Sequence, residues 1–181
     1  MQILQIHPRH LVTAVLAALV AFTPVRATAQ KASLDDPTII AIFDDANTWD
    51  METGAIAARK GSSKEVREFG AMLARDHEVV RQQGRDLVKK LGVRPTPPAD
   101  FALAKDHAAA LRTLDARSGT AFDRAFLEHE VAFHKAVIDA LNTSLLPALK
   151  NEEARALVTK VAPAFQAHML AAQALLDRHA K

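Results

Sequence analysis

Between Leu127 and Leu145, apolar side chains return at alternating steps of four and three: Leu127, Val131, Ile138, Leu141 and Leu145. His134 holds the one place in that series that is not apolar. Such a period fits one side of an α-helix and no strand, because strand side chains return to the same face at every second residue. A second line on the same segment, Phe122, Phe126 and Phe133, predicts that the helix is covered on two sides.

Three other segments share the period. Asp36 to Lys60 carries Ile39, Ile42, Phe43, Ala46, Trp49 and Ile56, with Asp35 or Asp36 as cap, Pro37 in the first turn and Gly61 as stop. After "GSS", Ser62 or Ser63 can cap a helix to Leu91, and Glu65 lies where the helix dipole favours negative charge. Its apolar line is Val66, Phe69, Leu73 and Val80, with His77 between the last two. Asn151 caps a final helix reaching about His179, with Leu157, Val161, Ala164 or Phe165, His168, Ala172 and Leu175 inward. Pro163 within it predicts a kink, since proline removes a hydrogen bond and crowds the preceding turn.

"GVRPTPPAD" is a breaker, followed by a shorter helix over Phe101 to Arg117 with Leu103, Leu111 and Leu114 on its apolar side. Thr120 is read as the cap of the next long helix and Pro147 as its end. No strand-like alternation of useful length and no internal repeat is visible. The connection spanning residues 92 to 119 has 28 residues. As a helix it would be about 42 Å long, enough to cross a bundle from end to end. The expected fold is all-α: a ferritin-like four-helix bundle with a long, partly helical connector between the second and third long helices.

The first 29 residues read as a secretory signal peptide: a basic lead ending at Arg9, the apolar run Leu11 to Phe22, and "ATA" at Ala27 to Ala29. Residues 30–181 are then a single domain of 152 residues, expected to be periplasmic and soluble. Without Arg9 and Arg26 the 23 basic residues become 21, equal to the 21 acidic ones, so no nucleic-acid footprint remains. The absence of cysteine excludes disulfides, thiolate ligands and cysteine nucleophiles. No phosphate loop, glycine fingerprint or nucleophile–base pair is present.

Each long helix places one metal-capable side chain on its inward line near mid-length: Glu52, His77, His134 and His168. A carboxylate buried alone costs several kcal/mol, so such a group must be paired, protonated or bound to a cation. Imidazole nitrogens with a carboxylate oxygen suit zinc, iron, copper or manganese. Glu130, four residues before His134, can orient its ring, and Asp76, Asp123 and Asp45 are further supporting carboxylates. The paired Glu-x-x-His motifs of diiron proteins are missing. His107 and His129 are expected to pack or hydrogen-bond locally, and His179 to be solvated.

The segments "DMETGAIAARKGSSKEVREFGAMLARDH", "SGTAFDRAFLEHEVAFHKAV" and "FQAHMLAAQALL" resemble the bacterial domain-of-unknown-function family 4142. Asp76, His77, Gly119, Phe122, Asp123, His134, His168 and Glu52 match its recurring pattern, whereas Glu130 stands where that family carries glutamine. The resemblance implies export, a ferritin-like fold and the label of an outer-membrane protein, which is compatible with peripheral envelope association. It implies no activity. Three classes of function follow: a periplasmic metal-binding bundle, a non-catalytic envelope or stress protein with a hydrogen-bonded polar core, and a metal-dependent oxidoreductase. The first is the reading preferred from sequence; enzymatic activity, the metal and the oligomeric state stay open.

Overall fold

The computed structural model describes residues 34–98 and 102–179. Residues 1–29, read above as a signal peptide, lie outside the described residues. Among those residues every regular element is helical: α1 Asp36–Lys60, α2 Lys64–Leu91, α3 Ala102–Asp115, α4 Gly119–Ala140, a π-helical turn Leu141–Leu145 running into the short α5 Leu146–Ala148, and α6 Glu152–His179. No helix among them is long and apolar enough to cross a membrane.

The starts and stops follow local chemistry. Asp35 accepts from the Thr38 amide at 3.0 Å, Ser63 from Val66 at 3.1 Å, and Asn151 from Ala154 at 2.9 Å. Each satisfies an amide that the first turn leaves without a partner. Gly92 ends α2 at φ 63°, a conformation glycine adopts without a Cβ penalty. α4 is capped two residues earlier than the expected Thr120, with Ser118 in the capping position. It does not stop cleanly at Pro147: one residue more than an α-turn is accommodated at Leu141–Leu145 before that proline. α6 continues through Pro163, whose ring is exposed.

The core divides into two apolar clusters. One gathers Ile39, Phe43, Val137, Leu141, Val158 and Phe165; the other gathers Ala57, Leu73, Phe122, Phe126, Ala172 and Leu175. α1 and α6 pass from the first cluster to the second, whereas α2 and α4 pass from the second towards the first. α1 and α2 are therefore antiparallel, as are α4 and α6, and the chain must travel the length of the helices between α2 and α4. α3 makes that journey, with Leu103 against the first cluster and Leu114 in the second.

Two aspartates tie loops to helices at opposite ends. Asp36 accepts from the amides of Lys150 and Asn151 at 2.7 and 2.8 Å. Asp123 accepts from the Ser62 amide at 2.7 Å, the Ser62 hydroxyl at 2.6 Å and the Ser63 amide at 2.9 Å, locking the α1–α2 hairpin onto α4. Burial would raise the Asp123 carboxyl, but these hydrogen bonds outweigh it and hold the group below its usual range. Asp123→Ala is expected to lower unfolding stability by about 3 kcal/mol, because it removes a charged acceptor from three donors. Denaturation in urea measures this, and a change within error of zero would contradict it.

Candidate metal centre

Between the two apolar clusters lies a buried polar layer: Asn47, Asp50 and Thr53 from α1, His77 from α2, Glu130 and His134 from α4, and His168 from α6. The three imidazoles His77, His134 and His168 each present a ring nitrogen within 4.8 Å of the others, and Asp50, Glu130 and His134 form a second such group. Glu52 is not among them. Its carboxylate is half-exposed and stands 3.0 Å from His107 Nε2, whose ring stacks on Trp49.

The carboxylate that reaches the imidazoles is Asp50, and the correction is one of helical phase. The buried line of α1 runs Ala46, Asp50, Thr53, Ala57, in steps of four, three and four. Trp49, Glu52 and Ile56 are displaced from it by one position, onto the flank that meets α3. Asp45, seven residues before Glu52, shares the displacement and lines a separate surface groove beside Gly84 and Arg85. Asp50 was also the better match in height: two residues of helix bring it about 3 Å nearer the level of His77. The signal available in the sequence was the run of small and polar residues Asn47, Asp50, Thr53, Gly54 and Ala57 continuing the Ile39–Phe43–Ala46 stripe.

The hydrogen bonds around the layer assign the ring protons. Asn47 donates its amide to the Phe43 carbonyl at 2.7 Å, so its Oδ1 must accept, and it lies 2.9 Å from His77 Nδ1. The Glu130 carbonyl lies 2.9 Å from His134 Nδ1, which must donate. Asp76 Oδ2 lies 3.4 Å from His168 Nε2 and draws the proton there. The remaining nitrogens, Nε2 of His77, Nε2 of His134 and Nδ1 of His168, are left as lone pairs.

Those lone pairs face one another and a carboxylate. Asp50 Oδ2 is 2.9 Å from His77 Nε2 and 3.1 Å from His134 Nε2, and His77 Nε2 is 3.2 Å from His168 Nδ1. Among the described residues, His134 Nε2 and both Asp50 oxygens receive no properly directed hydrogen bond although all are buried. Three ring nitrogens and a carboxylate oxygen thus converge on one another. Around a tetrahedral metal ion with bonds of about 2.1 Å, donor atoms sit about 3.4 Å apart, close to the spacings here.

Electrostatics sharpen the arrangement. Burial would raise Asp50, yet the adjacent His134 and His77 outweigh it and hold the group well below the usual carboxylate range. Burial and then the Asp50 charge push Glu130 far upward, so it stays protonated, and Thr53 donates to its Oε1 at 2.9 Å. Burial pushes His134 down, and burial with the neighbouring His77 and His134 pushes His168 down to about 4. The layer therefore combines an ionised carboxylate with two rings, His134 and His168, that resist protonation.

Of the other supporting carboxylates, Asp76 contacts His168 from the edge of α2 and is itself held by Arg75 Nε at 3.4 Å. Asp123 is on the correct face of α4 but two turns away, at the hairpin. His129 packs against Phe133 with ring centroids 5.6 Å apart, and burial pushes it down to about 4. His179 lies 3.4 Å from the Ser63 hydroxyl.

These directions fix the acid response of the metal-free protein. His168 and His129 refuse protons until about pH 4, whereas unfolded histidines accept them near 6.5. A depressed base loses its stabilising contribution as pH falls from the unfolded value to the folded one. Glu130, with its raised value, acts in the opposite sense, but one carboxyl opposes three imidazoles. Thermal unfolding of chelator-treated protein is therefore expected to weaken most between about pH 6.5 and 4. A melting temperature that is flat or rises over that interval would contradict it.

No curated protein and no solved structure matches the chain. A family model described as "Domain of unknown function (DUF4142)" matches residues 21–175, most of the chain, and the protein belongs to that family.

Proposed function

We propose that this protein is an exported, periplasmic, ferritin-like four-helix bundle of one domain that binds a transition-metal ion through His77, His134, His168 and Asp50. The single observation carrying the metal reading is the convergence of His77 Nε2, His134 Nε2, His168 Nδ1 and Asp50 Oδ2, with adjacent atoms 2.9 to 3.2 Å apart. A lone proton would bridge one pair of these acceptors; a metal ion satisfies all four. Three nitrogens and an oxygen suit zinc, iron, copper or manganese. Asn47, the Glu130 carbonyl and Asp76 orient the three rings from outside, the usual support of ligand histidines. The bundle topology is supported by the antiparallel pairs α1–α2 and α4–α6 and by the lengthwise crossing of α3. Export rests on the character of residues 1–29, and peripheral association with the envelope on the family resemblance.

A second reading, a metal-free polar core that fixes helix register, is favoured by the satisfied Thr53–Glu130 and Asn47–Phe43 bonds. Elemental analysis of protein expressed in rich medium and purified without added metal separates the two. The wild type is expected to retain about one equivalent per chain, and His77→Ala with His168→Ala to retain almost none at unchanged helicity. Equal metal content in both proteins would sink ligation at this layer.

A further inference from the structure

A groove of about 310 Å³ opens beside the polar layer, between α1, α3 and the end of α4. Ile42 and Phe43 form one wall, Val137, Leu141 and Leu145 another, and Phe165 the floor. Its volume is at the lower end of those that hold small ligands, about 300–1,000 Å³, and so is its character: an apolar hollow with few polar groups. The polar members of its described lining are Asp106 on α3 and Ser144 on the π-helical turn. Both are exposed, and Asp106 makes no ion pair among the described residues. The π-helical turn contributes Leu141, Ser144 and Leu145 to the wall, and such turns recur at ligand sites because the extra residue redirects side chains.

We propose that this groove is a binding site for a small amphiphile with an alkyl body and a cationic amine head, the chain buried between α1 and α4 and the ammonium held by Asp106 with Ser144. Charge decides the head group. An anionic head of the same length would meet the Asp106 carboxylate, and a purely apolar molecule would leave it unused. Phe165 also packs against the rings of His77 and His134, with centroids 5.3 and 6.1 Å away, so the ligand would rest one aromatic ring from the polar layer. The site does not depend on the metal reading, and its test uses chelator-treated protein.

Calorimetric titration of the protein with hexylamine, octylamine, octanol and octanoate provides the test. Octylamine should bind most tightly, and each added methylene should strengthen binding about fourfold. Asp106→Asn, an exposed change without consequence for folding, should weaken octylamine about fivefold and leave octanol unchanged. Ala140→Phe, which fills the groove, should abolish binding at unaltered circular dichroism. Absence of octylamine binding, octanoate binding as tight as octylamine, indifference to chain length, or an unaffected Asp106→Asn would each overturn the proposal. If Ala140→Phe proves unfolded, the Asp106→Asn and chain-length results decide alone.

Discussion

With Asp50 replaced by asparagine, affinity for a transition-metal ion is expected to fall about 100-fold or more, and the metal-free fold to lose about 3 kcal/mol. Loss of supporting groups around a metal costs 10–100-fold, and removing a charged ligand should cost at least as much. In the metal-free protein the adjacent His134 and His77 hold the Asp50 carboxylate below its usual range, so its charge stabilises the fold and its removal strands those partners. Chemical denaturation with and without added zinc, alongside competition titration of the metal, tests both halves. Unchanged zinc affinity in Asp50→Asn would refute ligation by that carboxylate.

The second large effect lies where α1 crosses α2. A Cβ on Gly70 would sit 2.6 Å from the Gly54 carbonyl oxygen, 2.7 Å from Ala57 Cβ and 2.8 Å from the Ala58 nitrogen. One on Gly54 would sit 2.7 Å from the Gly70 carbonyl oxygen. The obstructing atoms are mostly backbone, so no rotamer change relieves the clash and the helices must separate. Gly70→Ala is expected to destabilise by about 3 kcal/mol, lowering the melting temperature by roughly 10 °C. Because Gly54 follows Asp50 by one turn and Gly70 precedes His77 by two, the same change should disturb the spacing of Asp50 from His77 and weaken metal binding. Gly84→Ala is the control: its Cβ would meet Phe43 at 3.5 Å, ordinary contact, within the same helix. It should stabilise by about 1 kcal/mol through helix propensity. Equal effects of the two substitutions would refute the close-crossing account.

Much of the architecture was legible because its causes are local. The spacing of Leu127, Leu141 and Leu145 is enforced by the helical repeat itself, and the Asp35, Ser63 and Asn151 caps by the amides of the next turn. The positions of His77, His134 and His168 were legible for the same reason, since each replaces an apolar residue in an otherwise regular stripe. α1 was harder to read. Trp49 and Ile56 carry the stronger apolar signal but face α3, whereas the buried face is built from Asn47, Asp50, Thr53, Gly54 and Ala57, whose hydrophobicity says little about burial.

By itself, then, the sequence determined the helices, most of their ends and three imidazoles on inward stripes, since those depend on neighbours three or four residues apart. The tertiary structure alone decided that Asp50 rather than Glu52 meets them, that Asn47 and Asp76 set ring protons across 30 and 92 residues of chain, and that Gly54 and Gly70 let the backbones touch. Those outcomes turn on a helical phase error of one residue, about 100° of rotation. Periodicity alone cannot fix that angle when small residues line the buried face; only the partner helix does.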